Sequence, residues 1–433
     1  MNPHHLDHPL LTHSLSSGIK FGLHTIHTVL HALGLPHKKY PSIHIAGTNG
    51  KGSTSRLLSW ALQELGFKTG LFTSPHIQTI SERFQINNQN IPQDDLRKIL
   101  DRIQSVCLQL IQTQHIETIT FFEVCTVAAF LYFAEQNVDI AVVEVGLGGR
   151  LDSTNVIHAP WVILTTIGLD HEEYLGSTLA QVALEKAGII HGSAQVMLGF
   201  LPEEIVSLIK ESNPEACFHL SGNHFSLHSQ KHALNTHLIY QSDGPLNGFD
   251  FSLSLPGLYQ RQNISLALRA LELFCPERTE GQWGKLRKAF HEVSWKGRLH
   301  RVSQNPLLIF DAAHNPQGVM ALVESLKILY PATKFFVICG FCKDKKYLQM
   351  LSLLHEICDE IYLVPLDVER QALPEMILKE LDPELSKKTR GSESFPIALQ
   401  KIRTENQDQP ILVCGSFYLL EKAYAWLEPK FSS

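Results

Sequence analysis

At 433 residues the chain is long enough for two or more domains, each with a full core. Its formal net charge of −6 argues against a nucleic-acid or anionic membrane surface, so neither is expected among its partners. No apolar run approaches the roughly 20 residues of a membrane span, and residues 1–8 lack the basic start and long apolar stretch of a secretory signal.

The histidines near the start (His4, His5, His8 and His13) read as a solvated lead-in rather than a metal site. Between residues 42 and 201, short apolar runs alternate with helical patterns. Strands are expected over 43–46, 68–73, 139–145 and 161–167, and helices over 53–65, 93–112, 121–136 and 178–187. That alternation predicts an α/β fold with a mostly parallel sheet covered by helices. From 199 to 256 the pattern weakens into shorter alternating runs, which predict an antiparallel excursion. A second alternating series has strands over 307–310, 334–339, 360–364 and 410–413, with helices over 317–329, 345–355 and 416–426. It makes a second α/β unit of about 135 residues, an ordinary domain size, and the hinge is expected near 294–298. The eight cysteines, scattered through the chain, suit the reduced thiols of a cytoplasmic protein.

The most informative stretch follows the first strand. Gly47-Thr48-Asn49-Gly50-Lys51-Gly52-Ser53 lies between a β-branched run and a helical pattern with Leu57, Leu58, Ala61, Leu62 and Leu65 on one face. Strand, glycine loop and helix form the setting of a phosphate-binding loop (P-loop). Glycines let backbone N–H groups turn inward, and the helix N-terminus adds partial positive charge. Lys51 would neutralise the outer phosphates, and Ser53 or Thr54 could reach a magnesium ion. The loop is a variant: Ile45 stands where the common pattern has its first glycine, and Gly52 where Ser or Thr follows the lysine. A bland glycine turn is the weaker reading.

Further polar groups stand at strand ends, where open α/β sheets carry their sites. Ser74 follows the second strand, Glu144 ends the third, and Asp170-His171 follow the fourth. Each alone reads as a turn hydroxyl, a paired carboxylate or a capping histidine. Together they offer a seat for magnesium, which favours oxygen ligands and phosphates, although histidine is an unusual ligand for so hard an ion. Lys186, at a helix end before Gly188, reads on spacing alone as a dipole-favoured lysine with a glycine cap. In the second half, Asp311, His314 and Asn315 follow a strand directly. They suit ribose hydroxyls or a polar substrate, and a turn with an Asx cap explains them as well. Cys339-Gly340-Phe341-Cys342 has redox spacing, but two buried cysteines are the better reading.

Taken together these residues resemble the folylpolyglutamate synthase/dihydrofolate synthase family, relatives of the Mur ligases. The likeness runs over about 21–418 through ordered blocks at 44–54, 73–76, 82–83, 143–155, 168–171 and 185–189. It continues through Pro256-Gly257, Gln260, Asn263, Gly297-Arg298, residues 311–316, Gly340, Asp344-Lys345 and residues 413–416. Mur enzymes usually have Ser or Thr after the loop lysine, so Gly52 favours the folate branch. The resemblance implies a P-loop ATPase domain over 1–295, a Rossmann-like glutamate ligase domain over 296–433 and a cleft between them.

By the same resemblance, ATP and Mg2+ are the cofactors, and a monomer acts on the small-molecule substrates ATP, L-glutamate and dihydropteroate or folate. The implied reaction is ATP-dependent amide formation through an acyl phosphate. Thr48, Asn49, Gly50, Lys51, Gly52 and Ser53, with Asn263, Arg298 and Asp311, match ATP contacts; Ser74, Glu144 and His171 match metal ligands. Thr120, Phe121, Phe122, Glu123, Leu151, Asp152 and Ser153 match stretches that line the pterin pocket. Lys51, Lys186 and His314 are the catalytic candidates. Lys186 matches a carbamylated lysine, which reverses the reading from spacing alone. Three positions depart from the family pattern: Tyr259 for histidine, Lys296 for proline and Ala312 for glycine. Ala312 would be costly if its position needs positive φ. The alternatives are a Mur-type ligase of UDP-muropeptides, a nucleotide-driven switch and a C-x-x-C redox protein.

Overall fold

The structure is a computed structural model describing residues 7–15, 18, 20–229, 237–277 and 280–431. The chain divides into two compact units. One holds the described residues up to Ser229 together with His237–Ser252 and Gln262–Val293; the other holds Leu253–Arg261 and the described residues from Ser294 onward.

In the first unit the strands are β1 (Ser42–Ala46), β2 (Thr69–Phe72), β3 (Phe84–Ile86), β4 (Gln89–Asn90), β5 (Ile140–Glu144), β6 (Trp161–Leu164), β7 (Gln195–Leu198) and β8 (Cys217–Leu220). They form one sheet in the order β4-β3-β2-β5-β1-β6-β7-β8. The run from β2 to β8 is parallel, and β3 and β4 are antiparallel additions at one edge. Every residue of β1 is buried, as expected for the β-branched centre of a sheet covered on both faces. On one face Ala141 and Val143 join Leu96, Ile99, Ile103 and Phe130 from the helices Gln93–Gln112 and Phe121–Glu135. On the other, Val162, Leu164, Val196 and Leu198 pack with Val182, Ala183, Ile205 and Ile209.

The register aligns the strand ends that matter. Phe72 pairs with Val143, Ile45 with Glu144, and Ala46 with Leu164. The turns after β2, β5, β1 and β6 therefore emerge side by side at the carboxyl edge. The chain runs from β1 to β2 on one side and later crosses from β5 over β1 to β6 on the other, so the strand order reverses direction at β1, which is where open sheets bind ligands.

The weak stretch 199–256 is a mixture. Its end is antiparallel, with β9 (Phe225–Ser229), β10 (Leu238–Ser242) and β11 (Phe249–Phe251) pairing as a three-stranded sheet. Its beginning is not: the helix Glu203–Ser212 and β8 extend the main sheet. As the edge strand, β8 is partly exposed and carries Cys217 and His219, which blurs its apolar signal. His8 also departs from the solvated lead-in: it is buried, with Nε2 3.1 Å from Asp101 Oδ1 and Nδ1 accepting from the Leu10 amide at 3.2 Å. It pins the start of the helix Pro9–Leu15. His13 is exposed, and His4 and His5 lie outside the described residues.

The second unit has β12 (His300–Gln304), β13 (Leu307–Phe310), β14 (Phe335–Cys339), β15 (Cys358–Leu363), β16 (Thr389–Gly391) and β17 (Ile411–Cys414) in the order β12-β13-β17-β14-β15-β16. All pairs are parallel except β12 with β13. Edge strand β12, half exposed and bulged between Arg301 and Ser303, has no clear alternation and was not expected from the sequence. Val319, Leu322, Val323 and Leu326 of the helix Pro316–Leu329 join Val337, Ile361 and Leu412 of the sheet in one core.

Candidate active site

Chain leaves β1 at Ala46 and turns through Gly47 at φ +149° and Gly50 at φ +88° into the helix Lys51–Glu64. Both glycines are required. A Cβ on Gly47 would lie 1.9 Å from Thr165 Oγ1, and one on Gly50 2.4 Å from Asn263 Oδ1. Asn263, distant in sequence, thus stands against the loop.

The loop amides have two fates. Thr48 N–H donates to Thr166 O at 2.7 Å, and Asn49 N–H to Thr166 Oγ1 at 2.9 Å, so both turn toward the end of β6. The amides of Lys51, Gly52 and Ser53 head the helix, whose own ladder offers first-turn donors no acceptor. The bonds of Thr48 and Asn49 to Thr166 hold the loop in shape. Thr54 Oγ1 is fully buried without a hydrogen-bond partner.

Two lysines converge on one carbonyl. Lys51 Nζ donates to Gly47 O at 2.9 Å and to Thr48 O at 3.2 Å, and Lys186 Nζ donates to Gly47 O at 3.0 Å. Lys186 is only 4% exposed, and burial, then the charge of Lys51, lowers its pKa to about 7 against the opposing pull of Asp170 and Asp152. A substantial share is thus the neutral, nucleophilic amine at neutral pH. Its helix Leu179–Ala187 is clamped from outside. The Arg150 amide donates to Glu185 O at 2.8 Å, and Asn155 Nδ2 donates to Arg150 O at 3.0 Å and Gly188 O at 2.9 Å.

Ser74 and Glu144 are brought together, the Ser74 amide donating to Glu144 Oε2 at 3.0 Å. His171 follows β6 in left-handed conformation at φ +51°, its amide donating to Asp170 Oδ1 at 2.9 Å. Among the described residues no three His, Cys, Asp or Glu side chains cluster as a metal cage. One hydroxyl and one buried carboxylate beside a phosphate loop instead fit a hard cation held jointly with phosphate oxygens and water.

The residues expected to line the pterin pocket come from two segments that meet. Phe122 packs where a Cβ on Gly146 would lie 2.4 Å from its ring, and Ser153 Oγ is 3.1 Å from Thr126 Oγ1. Arg83 sits over the Phe121 ring at 5.3 Å, and Leu151 is half-buried. Thr120 and Glu123 form a reciprocal capping box that starts the helix Phe121–Glu135, and burial raises the Glu123 pKa. Asp152 accepts from the Leu147 amide at 2.8 Å, the Thr154 amide at 3.0 Å and Thr154 Oγ1 at 2.5 Å, so it shapes the loop it belongs to.

In the second unit Asp311 is buried and accepts three hydrogen bonds. Oδ2 accepts from the Leu299 amide at 2.8 Å and Tyr259 Oη at 3.2 Å, and Oδ1 from the Ala313 amide at 2.8 Å. Burial raises its pKa, with Arg298 opposing. His314 Nδ1 lies 2.9 Å from Ala312 O; a carbonyl only accepts, so Nδ1 is the donor of that bond. The Arg298 guanidinium lies over the Phe417 ring at 5.3 Å. Asn315 caps the helix Pro316–Leu329 through the Gly318 amide at 2.8 Å, so the Asx-cap reading holds for that residue.

The Mur ligase middle domain matches residues 45–271, and the Mur ligase glutamate ligase domain matches residues 297–417. A folylpolyglutamate synthase of Lacticaseibacillus casei is 33% identical over 416 residues, covering 94% of this chain and 95% of that one. The chain belongs to the folylpolyglutamate synthase/dihydrofolate synthase family. A Mycobacterium tuberculosis folylpolyglutamate synthase complexed with ADP superposes with a TM-score of 0.86 at 30% identity, over 96% of both chains. Escherichia coli FolC in complex with DHPP and ADP gives 0.85 at 27%, over 97% of this chain and 96% of that one.

Within that family the three departures are accommodated locally. Tyr259 gives its hydroxyl to Asp311, Lys296 lies over the Tyr424 ring at 5.5 Å, and Ala312 is not among the positive-φ residues. Cys339 and Cys342 are both free and buried, and burial raises both thiol pKa values, which argues against redox chemistry. Sequence reasoning missed Thr165, Thr166 and Asn155. The paired threonines at the end of β6 were a signal, since adjacent hydroxyls at a strand end are placed to bond a neighbouring turn.

Proposed function

We propose that this chain is an ATP-dependent ligase that joins the amino group of L-glutamate to the carboxyl group of dihydropteroate and of a (tetrahydro)folate. The observation that carries the reading is the loop itself: first-turn amides from Gly50 to Ser53, with Lys51 and a buried, low-pKa Lys186 on one carbonyl.

A carboxylate does not acylate an amine at neutral pH, so its oxygen first takes the γ-phosphoryl group of ATP, releasing ADP. Lys51 and the loop amides neutralise charge on the transferring group, and positioning and electrostatics supply most of the catalysis. Magnesium, held by Ser74 and Glu144 with His171 as a further candidate, would supply charge neutralisation at the same phosphates. The glutamate amine then attacks the acyl carbon, loses its proton, and phosphate leaves. Lys186 in its neutral form adds CO2 and releases a proton, which replaces a cation beside Lys51 with a carbamate anion. Arg298 and Asp311 are assigned to the nucleotide, and His314 to the incoming amine. Thr120, Phe121, Phe122, Glu123, Leu151 and Ser153 are assigned to the pterin, while Asp152 shapes the loop that carries the last two.

The near-complete overlap with folylpolyglutamate and dihydrofolate synthases supports the folate reading over UDP-muropeptide ligation. No helix of the described residues is long and apolar enough to cross a membrane. Eight free thiols support a reducing cytoplasm, and we take the working form to be a monomer. The test supplies ATP and labelled glutamate with dihydropteroate, tetrahydrofolate or a UDP-linked muropeptide. Labelled amide on the first two is expected. Label on the muropeptide alone, or ATP hydrolysis without amide, would overturn the proposal.

A further inference from the structure

Thr166 is not a candidate ligand, yet its hydroxyl makes two opposed bonds to one loop residue. It accepts from the Asn49 amide at 2.9 Å and donates to the Asn49 carbonyl at 3.1 Å. The mirror arrangement lies beside it. The Thr48 hydroxyl donates to Gly168 O at 2.9 Å and accepts from Gly168 N–H at 2.9 Å. One hydroxyl from the β6 side thus closes on the loop backbone, and one from the loop closes on the β6 backbone. Between them the Thr48 amide donates to Thr166 O at 2.7 Å, and Thr165 Oγ1 to Asn49 O at 2.6 Å.

We infer that Thr166, through this reciprocal interlock, is a positioning residue: it sets the nucleotide loop in its binding shape before nucleotide arrives. The inference rests on the nucleotide reading above. Three observations give it physical force. Asn49 directly precedes Gly50, which holds φ +88°, a conformation the loop needs for the helix to start at Lys51. The Asn49 amide is turned away from the phosphate side by its bond to Thr166, so the hydroxyl decides which amides face the ligand. Gly168, held by the Thr48 hydroxyl, lies two residues before Asp170, so the interlock also anchors the start of the turn that carries Asp170 and His171. A hydroxyl is needed because only a group that both donates and accepts can hold an amide N–H and its carbonyl together. Valine has the same shape and neither function.

The test uses the full chain and ADP as probe. Thr166→Val should raise the ADP dissociation constant and the ATP KM about tenfold, the effect of leaving a loop amide unpaired. Turnover at saturating ATP should stay within about threefold, because the phosphate-binding groups are intact. Thr166→Ser should restore ADP affinity to within about threefold of wild type. Thr166→Ala, which adds no bulk, should behave like the valine variant and stands in for it if valine disturbs folding. Unchanged ADP affinity in the valine and alanine variants would overturn the inference, as would a serine variant as weak as valine. Failure of the wild-type chain to bind ADP would instead bring down the nucleotide reading and this inference with it.

Discussion

Lowering the pH should destabilise the first unit through His44, by an amount the structure sets. His44 lies on β1 directly before the loop, with no exposed surface. Its Nε2 is 2.8 Å from Thr154 Oγ1, which gives its own proton to Asp152 Oδ1 at 2.5 Å. His44 therefore donates from Nε2, and its Nδ1 lone pair is buried without a partner. A second proton would have to go onto that Nδ1. Burial, then His191, lowers the folded pKa from 6.5 to about 3. The unfolded chain takes up the proton first, so stability is lost as the pH falls below 6.5 and continues to fall until about 3. At pH 5 the unfolded imidazole is about 1.5 pH units below its pKa, worth roughly 2 kcal/mol relative to neutral pH. Urea unfolding followed by circular dichroism at pH 7 and 5 measures this, comparing wild type with His44→Gln, which retains a donor near Nε2. Glu123 and Asp152, whose pKa values burial raises, act in the opposite sense but are shared by both proteins. The wild type should lose roughly 2 kcal/mol more than the variant between the two pH values. Equal losses would show that the buried Nδ1 does not resist protonation.

Other expected outcomes follow the same reasoning. His37, also buried and lowered to about 4, should add a further loss of roughly 2 kcal/mol at pH 5, removed in His37→Gln and read by the same unfolding series. Carbon-13 NMR with labelled bicarbonate should show a carbamate signal that grows as the pH rises through about 7 and is lost in Lys186→Arg; a signal that persists in that variant would refute the assignment. Gly50→Ala should weaken ADP binding at least tenfold by calorimetry, since its Cβ meets Asn263 as well as positive-φ strain. Gly66→Ala, at φ +93° with open space around it, carries the strain alone and should leave ADP binding unchanged. Cys342→Ser should retain normal turnover in the amide-forming assay, because the buried thiol is held protonated.

Much of this was legible in the sequence where local chemistry and global position agree. The helix Lys51–Glu64 announces itself through its apolar face and the glycines that open and close it. The parallel core strands are short β-branched runs, and their polar ends at Ser74, Glu144 and Asp170-His171 mark the functional edge. What the sequence hid depends on partners far away. Thr48 looks like part of a phosphate grip, but its amide and hydroxyl face Thr166 and Gly168, which only the pairing of β1 with β6 reveals. Asp152 looks available to a ligand until Leu147 and Thr154 are seen to occupy it. Edge strands β8 and β12 were obscured because half-exposed strands carry mixed residues.

Since β1 lies between β5 and β6, the turn that follows it acquires its walls only from stretches translated much later. A nascent chain with residues 47–53 already outside the ribosome still lacks Thr166, Lys186 and Asn263, and with them the contacts that bend those seven letters into a grip. Fragments that stop short of β6 should carry the signature intact and be blind to nucleotide. In this protein the motif is a promise that the opposite end of the domain fulfils.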